Sequence, residues 1–141
     1  MLAGHNVIVE KPFGSNLREV QELVHLAKEK NLFLWEAVCL LHMPNFHKLQ
    51  ELLPKLGQIR MVQANYSQYS SRYDKYLEGT VLPAFDPQLS GGALYDINIY
   101  NLNLIIGLFG APNNLIYQAR KGFNGIDTSG VVLMSYGGFQ V

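Results

Sequence analysis

The sequence predicts a mixed α/β chain in two parts: a parallel strand–helix–strand crossover over residues 1–38, then an α+β segment over residues 39–141. Three observations predict it. Val7-Ile8-Val9 is a short apolar, β-branched run, and the residues after it switch from successive apolar positions to a helical stripe. Further on, NLIYQARKG and TSGVVLMSYGG read as two strands separated by a glycine-containing turn. The chain of 141 residues is 48% hydrophobic with eleven acids against eleven Lys plus Arg, a composition that can build a compact core.

Val7-Ile8-Val9 has the pattern of a strand buried on both faces, as in a parallel sheet. In SNLREVQELVHLAKEKN, Leu17, Val20, Leu23, Val24 and Ala27 fall on one helical face with charges opposite. Ser15 or Asn16 can cap that helix, and Asn16 with Glu19 has capping-box spacing. Leu32-Phe33-Leu34-Trp35 supplies the second strand, which makes the unit a parallel crossover. Residues 44–56, PNFHKLQELLPKL, predict a helix opened by Pro44, disturbed by Pro54 and ended by Gly57, with Phe46, Leu49, Leu52 and Leu53 as its apolar face. The alternation in IRMVQANYSQYS predicts a strand whose two faces both meet something. Residues 70–90 have little periodicity, and a connection of that length is functional or disordered. SGGALYDINIYNLNLIIGLFG predicts a long helix closed by Gly110 and Pro112, and the last two strands pair antiparallel around the turn Gly122 to Asp127.

A formal net charge of zero with no basic stripe argues against a nucleic-acid surface, whose affinity comes largely from neutralised phosphates. The lone Cys39 excludes an intrachain disulfide framework, fits a reducing cytoplasm and reads as a small buried hydrophobe. The start MLAGHN lacks the layout of a signal peptide, and no apolar run reaches membrane-spanning length. Met1 falls shortly before the first strand and Val141 closes a strand-like segment, so the chain reads as truncated at both ends.

Lys11 stands at the carboxyl end of a parallel strand, the edge where open α/β sheets gather ligands, and Pro12 restricts its backbone. Position alone favours an ordinary strand-end lysine. Asp96 and Tyr100, four apart, share a helix face behind Gly91 and Gly92, where Ser90 could cap the helix or bind a hydroxyl. Spacing alone favours a core tyrosine and a solvated aspartate there. Converging on a lysine, the same pair would make a proton-transfer site for an alcohol/ketone couple. Tyr66, Tyr69, Tyr73 and Tyr76 could line a sugar or polyol pocket or cover a sheet edge. His5, His25, His42 and His47 lack metal-ligand spacing, so no metal site is expected, and neither the G-x-G-x-x-G nor the Walker pattern occurs.

AGHNVIVEKPFG, the helix and strand after it, and SGGALYDINIYNLNLIIGLFG together resemble the glucose-fructose oxidoreductase and inositol dehydrogenase family of NAD(P)-dependent enzymes, in its dihydrodiol-dehydrogenase-like branch. That resemblance implies residues 1–38 as the last strand–helix–strand of a Rossmann domain. Residues 39–141 then form the substrate-binding and oligomerisation domain, a mostly antiparallel open sheet with helices on one face, incomplete at its C-terminus. Glu10, Lys11 and Pro12 match the segment that meets nicotinamide, with Lys11 also contacting substrate through a Lys-Pro bond that is often cis. Gly91, Gly92, Ala93, Leu94 and Asp96 match the helix motif, in which the aspartate holds substrate hydroxyls. Tyr100 matches the proton donor of this branch. Tyr73 is added as a substrate contact. Trp35 to Val38 resemble the branch's Met-Glu-Ala segment. Asn98 replaces the usual glycine, which reshapes the pocket.

The expected activity is therefore hydride transfer between NAD or NADP and a sugar, polyol or related secondary alcohol, by a homo-oligomer. The family's Gly-rich dinucleotide fingerprint is absent from these residues, so the isolated chain is expected to be inactive. The rival expectation is a non-catalytic oligomerisation or sugar-sensing module of the same fold.

Overall fold

A computed structural model describes residues 1–141, which divide into two compact units, Met1–Val38 and Cys39–Val141. In the first, β1 (Val7–Glu10) pairs in parallel with β2 (Leu34–Ala37), from Val7 opposite Leu34 to Glu10 opposite Ala37. The crossover helix α1 (Leu17–Lys30) begins where the Asn16 side chain accepts the Glu19 N–H at 3.0 Å. Glu19 in turn accepts the Ser15 N–H at 2.9 Å, so the reciprocal bond of the capping box lands one residue early. Such a cap is worth about 1 kcal/mol.

The helix closes at Asn31 in the left-handed region, φ 52°, whose N–H reaches the Ala27 and Lys28 carbonyls. That closure uses Asn31 and Leu32, and β2 consequently starts two residues later than the apolar run suggests. The expected two-sided burial of β1 is corrected. Val7 and Val9 are half-buried while Ile8 is 69% exposed, because residues 1–38 contain one helix and it covers one face. Along α1, Val20, Leu23, Leu26 and Ala27 turn inward, and Leu17 and Val24 lie on the solvent margin.

The second unit opens with a 3₁₀ turn, Cys39–His42, then α2 (Pro44–Leu52), which tightens into a 3₁₀ turn over Leu53–Leu56 where Pro54 cannot donate an N–H. Buried Phe46 and Leu41 press against the bare backbone of Gly107, where a Cβ would stand 2.9 Å from each side chain. Cys39 is exposed, correcting the expectation of a buried thiol; it begins a surface turn instead of packing in an element.

The strand expected over residues 59–70 does not form. Met61 makes one parallel bridge with Gln140, Val62 N–H reaches the Gln140 carbonyl at 2.9 Å, and residues 63–69 run exposed. Alternation supplies a strand's faces but not the neighbouring backbone it must bond.

Residues 70–90 are ordered, which removes the disordered alternative. They fold into α3 (Tyr73–Leu77) and 3₁₀ turns at Pro83–Phe85 and Pro87–Leu89, and they contribute Tyr76 and Phe85 to a core completed by Ile126. A π-helical turn, Leu94–Asn98, then leads into α4 (Ile99–Phe109), which stops at Gly110. Strands β3 (Asn114–Lys121) and β4 (Asp127–Ser135) pair antiparallel with a bulge between Arg120 and Lys121, as their alternation and turn predict. Tyr117 and Ala119 face inward with Val132 and Met134; Ile116 and Gln118 face outward with Val131 and Leu133.

Candidate functional site

In the first unit, β1 delivers Glu10 and Lys11 at its carboxyl end, and the Lys11–Pro12 bond is cis. The turn that follows is tied back to β2, where the Glu36 carboxylate accepts the Phe13 N–H at 3.0 Å. Lys11 and Pro12 are half-buried, whereas Glu10 is exposed. The WEAV stretch thus has a local task, since its glutamate fixes the exit of the Glu-Lys-Pro segment.

In the second unit, the Gly91 and Gly92 N–H groups bond the Asp86 and Ala84 carbonyls at 3.0 and 2.9 Å, burying the glycine pair against the 3₁₀ turns. Gly92 has φ +105°, a conformation that side chains rarely adopt. The π-helical turn behind it carries Asp96, whose N–H reaches the Gly92 carbonyl at 2.9 Å, and α4 carries Tyr100. Both residues are half-buried, four apart along the π-helical turn and α4. The Tyr66 ring lies 5.6 Å from that of Tyr100, tilted by 58°.

Tyr73 is half-buried in an aromatic cluster with ring centroids 5.5 to 5.9 Å from Tyr69, Phe85 and Tyr76. Tyr69 donates to Asp74 at 2.6 Å, and that hydrogen bond pushes its phenol pKa up. Lys11 belongs to the first unit and Asp96, Tyr100, Gly92 and Tyr73 to the second.

A cavity of about 500 Å³ opens on another side of α4, lined by Gln63, Tyr66, Asn98, Asn101, Ile105 and Val132 among others. Asn101 donates to the Asn98 side chain at 2.9 Å. Asn98 thus faces this cavity, which neither Asp96 nor Tyr100 lines, and Tyr66 joins the two features.

Sequence reasoning passed over Asp127 and Tyr117. Asp127 Oδ2 accepts the Leu94 N–H at 2.7 Å and the Tyr117 hydroxyl at 2.5 Å. Burial first, and the Asp127 carboxylate second, push the Tyr117 phenol well above its usual range. The one signal for this pair in the sequence is Gly130, whose bare backbone leaves room for the Tyr117 ring across the strands.

The parallel crossover with the cis turn at its edge, and the glycine-entered helix with a carboxylate and phenol, are those of a mixed α/β fold. Comparison with known families agrees. The NAD-binding Rossmann fold of the oxidoreductase family matches residues 1–38, and the GFO/IDH/MocA C-terminal domain matches residues 46–141. The chain belongs to the GFO/IDH/MocA family of oxidoreductases.

It is 43% identical over 137 residues to scyllo-inositol 2-dehydrogenase (NADP(+)) of Bacillus subtilis, covering 97% of this chain and 42% of that one. To trans-1,2-dihydrobenzene-1,2-diol dehydrogenase of Sus scrofa it is 33% identical, covering 99% of this chain and 41% of that one. An oxidoreductase crystal structure from Bacillus cereus superposes with a TM-score of 0.76 at 25% identity, over 99% of this chain and 39% of that one. The chain therefore spans about two fifths of the length of these relatives. No helix is long and apolar enough to cross a membrane.

Proposed function

We propose that this chain is the substrate-handling part of an NAD(P)-dependent oxidoreductase acting on a sugar, polyol or related secondary alcohol. The observation that carries this reading is the co-occurrence, in family order, of the Glu10-Lys11-Pro12 strand end and the Gly91-Gly92 helix bearing Asp96 and Tyr100. The match to a polyol dehydrogenase along 97% of the chain supports the substrate class. The nicotinamide supplies the hydride acceptor when bound.

The chain's own residues do the rest. Asp96, with the close-approaching backbone of Gly92 and the phenol of Tyr73, orients substrate hydroxyls. Lys11 polarises the reacting oxygen, and Tyr100 exchanges the hydroxyl proton, releasing it onward to solvent, as the carbinol becomes a carbonyl. Glu10, Lys11 and Pro12 form the protein surface against the nicotinamide. Residues 1–38 are read as part of a dinucleotide-binding domain and 39–141 as the substrate and oligomerisation domain. The single, exposed Cys39 suits the reducing cytoplasm.

The test is a chimera in which this chain replaces the matching stretch of the Bacillus subtilis dehydrogenase, assayed for NADPH formation with inositols and other polyols. Turnover is expected from the chimera, and neither turnover nor tight NADPH binding from the 141 residues alone, which lack a G-x-G-x-x-G stretch. A chimera that folds and binds NADPH yet oxidises no polyol would refute the catalytic reading.

A second reading, an oligomerisation or sugar-sensing module without catalysis, is favoured by one observation. Ile116, Val131 and Leu133 share the outer face of β3 and β4 and are 56%, 72% and 44% exposed. Apolar patches of this kind mark interaction surfaces, and a self-complementary one makes a homo-oligomer. Light scattering should give a mass above one chain, and Val131→Lys should return it to the monomer. A monomeric wild-type chain at micromolar concentration removes the interface from both readings.

A further inference from the structure

We propose that Asp127, latched by Tyr117, is a positioning residue that sets where Asp96 and Tyr100 stand by anchoring the entry of their helix; the catalytic meaning of that placement rests on the oxidoreductase reading. The argument begins in the strands. Tyr117 lies opposite Val132, and the diagonal neighbour across the ladder, opposite Ala119, is Gly130. A Cβ at Gly130 would collide with the Tyr117 ring, so the bare glycine is what lets the ring lie flat across β4. In that pose the hydroxyl reaches Asp127 Oδ2 at 2.5 Å, ten residues further along the chain.

The same oxygen accepts the Leu94 N–H at 2.7 Å, at the first residue of the π-helical turn. The other carboxylate oxygen faces Gly92 so closely that a side chain there would run into it. One carboxylate therefore grips the helix entry from two sides: it satisfies a donor that the helix itself leaves open, and it excludes any bulk at the glycine turn. Asp96 is two residues beyond Leu94, and Tyr100 lies in the turn after that.

The hairpin matters because the latch spans it. Burial and the neighbouring carboxylate both favour the protonated phenol, so Tyr117 remains a donor through neutral pH. With the phenol held by the ladder and the carboxylate held by the phenol, Leu94 has one place to go. Removing either group leaves the π-helical turn free to re-form with a different hydrogen-bond pattern, and such a shift would rotate Asp96 and Tyr100 relative to Tyr66.

The test uses the 141-residue chain with neither nucleotide nor substrate. In wild type, the Leu94 amide should exchange slowly, and aromatic NOEs should connect the Tyr66 and Tyr100 rings, whose centroids are 5.6 Å apart. Tyr117→Phe, which keeps the ring and removes only the latch, and Asp127→Ala should each speed Leu94 exchange by about tenfold or more. Both should also move the Asp96 amide and Tyr100 ring resonances and weaken those NOEs, while the Gly110 amide, which caps α4 by bonding the Ile106 carbonyl, keeps its protection. Asp127→Asn, which retains an acceptor oxygen, should restore much of the Leu94 protection.

Unchanged Leu94 exchange in both variants overturns the anchor. Faster Leu94 exchange with unmoved Asp96 and Tyr100 signals reduces the pair to a helix cap and overturns the positioning role. Because no turnover is read, failure here leaves the oxidoreductase reading to the chimera assay, and an inactive chimera leaves the anchor standing.

Discussion

Lys11→Met in the chimera should lower kcat for polyol oxidation by about 10²- to 10⁴-fold while NADP+ binding stays measurable. Methionine keeps an unbranched stem of similar length and removes only the ammonium. The side chain leaves from the carboxyl end of a parallel strand, with the turn after it pinned by the 3.0 Å bond from Phe13 N–H to Glu36. Its backbone should therefore not move when the charge is lost. If the ammonium polarises the oxygen that changes from hydroxyl to carbonyl, the loss falls on the chemical step.

Tyr100→Phe should give a loss of the same order if the phenol exchanges the hydroxyl proton as proposed, and it keeps the ring against Tyr66. Single variants that retain wild-type turnover would remove both side chains from the chemistry, and the antiparallel sheet with its exposed outer face would be left as the better account of the chain.

How much of this was readable beforehand depends on what each feature needs. Helix α1 carries its own period and cap, and β3 and β4 carry alternation with a turn between them, so local sequence suffices. Residues 59–70 carry alternation as well, but a strand also needs a backbone beside it, and that requirement is written in other parts of the chain. Only Met61 and Val62 meet one.

The Glu-Lys-Pro and Gly-Gly segments were visible because unusual residues crowd together in each. The anchor on Leu94 was not. Asp127 lies 33 residues downstream, and the bulge at Arg120/Lys121 means that strand pairing cannot be counted out from the turn. Asn98 illustrates the same limit. Sequence placed it two residues after Asp96 as a residue that reshapes a pocket, and only the fold shows that it lines the cavity beside Asn101.

Tyr76→Ala should be the most destabilising substitution outside the site, costing about 3–5 kcal/mol, the range for removing a buried aromatic side chain. Tyr76 is 1% exposed, and its ring stacks on Phe123 at 4.4 Å and on Phe85 at 4.9 Å. It joins the 70–90 connection to the hairpin turn, because its hydroxyl donates to Asn124 Oδ1 at 2.8 Å while Asn124 Nδ2 donates to the Phe85 carbonyl at 2.8 Å.

Alanine would remove the stacking and leave a cavity at the point where no regular ladder holds the segment. A loss of this size is a large share of the roughly 5–15 kcal/mol that keeps a domain folded. Tyr76→Phe separates the two contributions: it keeps the ring and costs about 1 kcal/mol, since Asn124 Oδ1 still accepts the Ile126 N–H at 3.3 Å. Urea titration of the three proteins measures both differences, and hydrogen exchange at the Gly122 amide, bonded to the Ile126 carbonyl at 2.8 Å, locates the loosening. If Tyr76→Ala proved no worse than Tyr76→Phe, the hairpin turn would be held by its own backbone bonds, and the 70–90 segment would pack on it without stabilising it.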